Sequence, residues 1–240
     1  MAITTEDITY DIDGVQMRSR FYSDEAIGKP RPGVLVYADA RGLDDVAHAS
    51  ARRLAEEGYP ALACDVYGGG LFIEKPDDAI PYASKVVANP DALAAGGRVA
   101  MDALGARPQV DAGRIAAIGY CFGGNVAVEI ARGGLPLLAA VGFHGGVVPA
   151  NPERSRKIKG KVLICTGASD PMIPIAMRTA FEEDMQAAGV DWRMNLYGQI
   201  FHSFTNPDAA ALRKEGLRYD ACAAERSWQE MKALLAEVFG

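Results

Sequence analysis

The stretch Gly119-Tyr120-Cys121-Phe122-Gly123-Gly124 sets a thiol between glycines, just after the apolar run Arg114–Gly119 and just before residues with a helical pattern. It matches G-x-S-x-G, the nucleophile elbow at a strand-to-helix turn, with sulfur in place of oxygen. In such a turn the two backbones nearly touch, so Gly119 and Gly123 leave the room that side chains would fill. The helix that opens there presents unpaired N–H groups and a positive dipole end, and both favour thiolate, the nucleophilic form. A small buried residue at a tight corner would give the same window, so the distinction rests on partners.

An elbow nucleophile needs a base and a carboxylate to orient that base, following it in the order nucleophile, acid, histidine. Asp170 stands in ASDPMIP, directly after the apolar run KVLICTG, and His202 stands in GQIFHSF, directly after WRMNLY. Taken singly, Asp170 also reads as an Asp-Pro turn residue and His202 as a loop histidine. The chain has 3 histidines, and one of them falls where this chemistry requires it. His144, in VGFHGG, ends another strand and is a candidate for lining the pocket or binding substrate, with a packed strand-end histidine as the alternative. His48 reads as an ordinary helix residue. Tyr67, ahead of Gly68–Gly70, is a candidate pocket wall. No three-ligand metal spacing, G-x-G-x-x-G or P-loop signature occurs, so neither metal nor cofactor is expected.

These residues must be carried by strands and helices, and the periodicity supplies them. ITYDI and VQMRSRFY read as a strand pair over residues 1–22 turning at Asp13-Gly14. PGVLVYA (32–38), PALACDV (60–66), RIAAIG (114–119), LLAAVGF (137–143), KVLICTG (161–167) and WRMNLY (192–197) are apolar runs of strand length. Helical spacing covers 44–57, 77–104 with a break near Asn89-Pro90, 124–132, 175–188 and 221–239. On the last helix Trp228, Met231, Leu234, Leu235 and Val238 share a face. Strands apolar throughout and alternating with amphipathic helices predict an α/β fold, a mostly parallel doubly wound sheet covered on both faces. In such sheets ligands sit at the carboxyl ends of the strands, which is where Cys121, Asp170 and His202 fall.

Composition bounds the rest. At 240 residues with 49% hydrophobic and 23% charged residues, the expectation is one α/β domain spanning 1–240. A net charge of −6 argues against nucleic-acid or anionic-membrane partners and leaves a small molecule as the expected one. The start, MAITTEDITYDID, lacks the apolar segment of a secretory signal, and no run approaches a membrane span. The 4 cysteines are widely spaced, so Cys64, Cys165 and Cys222 read as buried small hydrophobes in a reducing cytoplasm.

Together GYCFGG, GASDPMIP and FHSF resemble the dienelactone hydrolase family of α/β hydrolases, and PGVLVYADARGL and EEGYPALACDVYGG are similar to that family's first core strands. The resemblance runs from about residue 30 to the C-terminus. It implies a hydrolase fold with Cys121 as nucleophile, His202 as base and Asp170 as its orienting carboxylate. It also implies an oxyanion hole from the backbone N–H groups of Phe122 and Ala40. In that family the loop after the first core strand carries a glutamate that pairs with the resting thiol. Asp39 stands at that position, one methylene shorter, with a solvated carboxylate or helix cap as the other reading. The type enzymes also hold an anionic lactone with arginines, one of them shortly after the histidine. Here the residues after His202 are SFTNPD, and Arg41 is the candidate positive charge, with an ordinary surface arginine as the alternative.

A cysteine nucleophile selects its substrates. Thiolate is itself a good leaving group, so an amide-derived intermediate reverts, whereas lactones, enol esters and aryl esters carry leaving groups that depart first. The expected activity is therefore cleavage of a lactone or activated carboxylic ester through a thioester. The alternatives are a general carboxylesterase or thioesterase, and a non-catalytic scaffold that binds a small molecule or senses oxidants through Cys121.

Overall fold

In the computed structural model, which describes residues 2–26 and 28–240, a hairpin opens the chain. Strands β1 (Ile3–Ile12) and β2 (Val15–Asp24) pair antiparallel, and Asp13 and Gly14 turn between them with φ of 52° and 79°. Next come β3 (Arg31–Tyr37), α1 (Asp45–Glu56), β4 (Ala61–Cys64), α2 (Pro76–Val87) and α3 (Pro90–Gly105). After them lie β5 (Val110–Tyr120), α4 (Phe122–Arg132), β6 (Ala139–Phe143) and the short α5 (Pro152–Ser155). The chain closes with β7 (Lys161–Gly167), α6 (Ile175–Ala188), β8 (Trp192–Tyr197), a single 3-10 turn (Ala209–Leu212) and α7 (Ala221–Phe239). The eight strands form one sheet ordered β1-β2-β4-β3-β5-β6-β7-β8. From β4 to β8 every neighbouring pair is parallel, while β2 meets β4 antiparallel.

The central strands are apolar at every position because both faces are covered. Val34 and Val36 of β3, with Ala116, Ile118 and Tyr120 of β5, pack against α1 and α7. Their alternates Leu35, Tyr37, Ile115 and Ala117 pack against α3 and α4. Beyond β6, Val162 and Ile164 of β7 meet Phe181 and Met185 of α6. Each fully buried aliphatic side chain of this kind contributes about 1.5–3 kcal/mol.

The elements follow their sequence signals closely, with four differences. Helix α4 begins at Phe122, directly after Cys121 and two residues ahead of the expected start. Strand β5 begins at Val110, its register with β3 shifting at Pro32/Gly33. The four-residue α5 and the 3-10 turn are too short to produce a periodicity. Cys222 is exposed rather than buried, because it takes the solvent side of amphipathic α7, while Ala223, Ser227 and Trp228 face inward.

Two glycines inside α3 are a packing device. A Cβ at Gly97 would press on Ile130 of α4 at 2.6 Å, and one at Gly96 would lie 3.2 Å from Ile12. A mid-helix glycine costs about 1 kcal/mol relative to alanine, and here that is offset by close approach of α3 to α4 and to the hairpin.

Candidate active site

Cys121 lies at the end of β5 and caps α4 with φ 53° and ψ −116°, a conformation that costs a non-glycine residue about 1–3 kcal/mol. Three glycine contacts sustain it. A Cβ on Gly119 would strike the carbonyl of Gly123, one on Gly123 would strike the carbonyls of Tyr37 and Ala38, and one on Gly145 would strike the carbonyl of Cys121 itself. The Cys121 N–H donates to Phe143 O at 2.9 Å. The elbow is thus clamped between β3, α4 and the turn after β6, with its side chain half-buried.

His202 and Asp170 meet at the next two strand ends. Asp170 Oδ2 is 2.7 Å from His202 Nδ1, and Asp170 Oδ1 accepts from the Met172 N–H at 2.8 Å. Arg178 braces this loop from below, donating to Ile173 O at 3.1 Å and Gly167 O at 3.5 Å. His202 is held on both sides by a later segment, its N–H on Gly216 O and its carbonyl accepting the Arg218 N–H, each at 3.0 Å. Its Nε2 is buried and has no hydrogen-bond partner. Burial disfavours the charged ring, but the negative charge of Cys121, then the bond to Asp170, outweigh it and raise the His202 pKa to about 10.

The loop after β3 is held differently. Asp39 Oδ1 accepts the Arg41 N–H at 2.8 Å, and its Oδ2 meets the Arg41 guanidinium at 3.2 and 3.3 Å. Arg41 also reaches Asp44 at 3.5 Å and lies over the Phe72 ring, 5.2 Å from its centroid. Asp44 caps α1 through the Ala47 N–H. Its carboxyl is pushed up to about 7 by burial and by the neighbouring Asp39 charge. Asp39 thus bonds Arg41, and the charge of Arg41 is already paired. Tyr67 donates from its hydroxyl to Ala40 O at 2.8 Å and stacks on Phe122, centroids 6.1 Å apart. Burial, then the charges of Asp39 and Cys121, raise the pKa of that phenol. Tyr67 therefore joins the Ala40 loop to the Phe122 end of α4. As the first residue of that helix, Phe122 has an N–H with no intrahelical acceptor.

Of the two readings of His144, the packed strand-end histidine fits the structure and pocket lining does not. It is 2% exposed, so its ring presents nothing to a substrate. It packs edge-on to His202 with centroids 5.0 Å apart. Two residues near the site carried no local signal. Arg218, whose guanidinium lies 4.5 Å from the Phe201 centroid, is brought to His202 by a long excursion of the chain. Thr205 bonds His144 Nε2 through Oγ1 at 2.8 Å, a pairing between two separate loops. Among the described residues, no group of three acidic, histidine or cysteine side chains could hold a metal ion, and no helix is long and apolar enough to cross a membrane.

The family model described as the dienelactone hydrolase family matches residues 17–239. The chain belongs to the dienelactone hydrolase family. It is a hydrolase of that family with an α/β fold. A dienelactone hydrolase-like promiscuous phosphotriesterase from metagenomic libraries is similar to it over 100% of both chains, with 38% identity and a TM-score of 0.96. The Saccharolobus solfataricus protein named "Putative carboxymethylenebutenolidase" is 26% identical, covering 97% of this chain and 98% of its own. A dienelactone hydrolase from Anabaena variabilis, 16% identical, shares the fold at a TM-score of 0.66 over 96% of this chain and 98% of its own.

Proposed function

We propose that this dienelactone hydrolase family member cleaves lactones and activated carboxylic esters through Cys121, His202 and Asp170. The supporting observation is the Asp170–His202 bond of 2.7 Å with a buried, unpartnered Nε2 whose charge state is tied to Cys121. The Cys121 thiolate attacks the ester carbonyl, and the new oxyanion is met by the N–H groups of Phe122 and Ala40. As the C–O bond breaks, the departing enolate or phenolate takes the proton of the His202 imidazolium, leaving a thioester on Cys121. The neutral His202 then draws a proton from water, hydroxide adds to the thioester carbonyl, and thiolate departs. Asp170 holds the imidazole and favours its charged form throughout. A free thiol nucleophile fits a reducing, cytoplasmic setting.

Iodoacetamide labelling with peptide mapping tests this together with a p-nitrophenyl ester. Cys121 should be the most reactive of the four thiols, and His202→Ala should abolish ester turnover. Preferential labelling of Cys222, or near wild-type activity in His202→Ala, would overturn the assignment. A second reading is favoured by the likeness to the phosphotriesterase at 38% identity. The same thiolate would displace an aryloxide from a phosphotriester, and diethyl p-nitrophenyl phosphate hydrolysis lost in Cys121→Ser would support it.

A further inference from the structure

The turn that follows β6, Phe143–Gly146, touches both halves of the reacting pair. Toward the nucleophile its contacts are all backbone. Phe143 O accepts the Cys121 N–H at 2.9 Å, Gly145 lies against the Cys121 carbonyl with no space for a Cβ, and the Gly146 N–H donates to Asn125 Oδ1 at 2.7 Å in the first turn of α4. Toward the base its contact is a side chain. The His144 ring meets His202 at a centroid distance of 5.0 Å and an interplanar angle of 64°, and meets Phe204 at 5.3 Å.

His144 is held in place against its own backbone preference. Its φ is +40°, a region that non-glycine residues keep only where the surroundings impose it. Its N–H donates to Cys165 O at 2.8 Å, Nε2 is bonded to Thr205 Oγ1 at 2.8 Å, and Nδ1 is buried without a partner. Thr205 belongs to the base loop, three residues after His202. Burial, then the positive charge of His202, hold the His144 pKa far below the ordinary histidine value, so the ring beside the imidazolium stays uncharged.

On the reading of His202 as base, we propose that His144, anchored by Thr205, is a positioning residue that sets the separation of His202 from Cys121. The turn takes its position from the nucleophile's backbone and passes it to the base through one ring. Asp170 fixes the orientation of His202 about Nδ1, and His144 stops the ring from receding from the sulfur. Neither His144 nor Thr205 touches substrate. Both therefore act on the rate of the bound complex and not on binding.

Thr205→Val keeps the side-chain volume and removes the anchor. A misplacement of about 1 Å at a reacting pair costs on the order of 100-fold, so loss of one anchor is expected to lower kcat on an aryl acetate by about tenfold. KM should stay within about twofold, and Thr205→Ser, which restores the hydroxyl, should recover most of the rate. A wild-type kcat in Thr205→Val, a loss expressed in KM alone, or failure of serine to rescue would each overturn the proposal. Should Thr205→Val not fold, His144→Gln is read in its place, since it keeps a partner for Thr205 without a ring, and a wild-type kcat there also overturns the proposal. His202→Ala with retained turnover would instead sink the assignment of the base, so the two failures are distinguishable.

Discussion

The turn after β6 and the loop after β3 both border Cys121, yet different forces hold them. The turn is fixed by contact: Gly145 against the Cys121 carbonyl, a backbone bond from Cys121 to Phe143, and an uncharged imidazole on its far side. The loop is fixed by charge, with Asp39 on Arg41, Arg41 shared with Asp44 and one Tyr67 hydroxyl on Ala40. Contact repulsion is steep and indifferent to pH, whereas an ion-pair cluster that includes a carboxyl pushed up to about 7 loosens as that group titrates. The geometry that must not vary between turnovers is built the first way. The loop proposed to supply one oxyanion donor, which must meet substrates of different shape, is built the second way.

This contrast can be broken at its stiff end first. Gly145→Ala forces a methyl onto the Cys121 carbonyl, and overpacking of that kind costs about 3 kcal/mol, lowering the melting temperature by roughly 10 °C. Ester turnover should fall to background with it, as calorimetry and a p-nitrophenyl acetate assay would reveal. An alanine variant with native melting and turnover would mean that the elbow has slack.

Between the two regions lies His202, whose pKa is raised first by the charge of Cys121 and then by the bond to Asp170. The raised pKa of His202 supplies stability that is complete below its ordinary 6.5 and is lost as pH rises toward about 10. Cys121→Ser removes the charge that raises it most. The His202 titration followed by NMR should then drop toward 6.5 or below, and the alkaline loss of stability should shrink. An unchanged titration would place the source of the shift in Asp170 alone.

At the soft end the expected effect is smallest. Asp39→Asn removes the charge that meets the Arg41 guanidinium at two bonds and leaves Asp44 to hold it, a change of about 1 kcal/mol. Turnover should slow several-fold through a less ordered Ala40 loop, with the melting temperature nearly unchanged. Because these side chains are largely buried, raising salt should change the wild-type rate little. A fall in stability as large as that of Gly145→Ala would erase the distinction between the two regions.

The parallel sheet was legible because its strands are apolar at every position. Cys121, Asp170 and His202 were legible as strand-end residues because their loops follow those strands directly. Spacing along the chain does not report which side chains share charge, so the pairing of Arg41 with Asp39 and Asp44 carried no signal. His144 was legible as a strand-end residue with two readings, packed or lining the pocket, since a single residue beyond a strand has no periodicity to orient it. Thr205 and Arg218 reach the site by tertiary pairing, through β6's turn and through the segment after the 3-10 turn. Cys222 was misread because composition treats all cysteines alike, whereas the helix that carries it has a wet side.

The missing side chain at Gly97 has a mechanical meaning. Ile130 seats in that gap, and from Ile130 back to Phe122 helix α4 is an uninterrupted rod of roughly 12 Å. The gap therefore works as a thrust bearing for Cys121. Any atom added at 97 pushes the rod along or across its axis and delivers the displacement to the elbow, where glycine clearances leave no room to absorb it. The working distance at Cys121 is thus gauged in part by a residue on another helix that never meets the substrate.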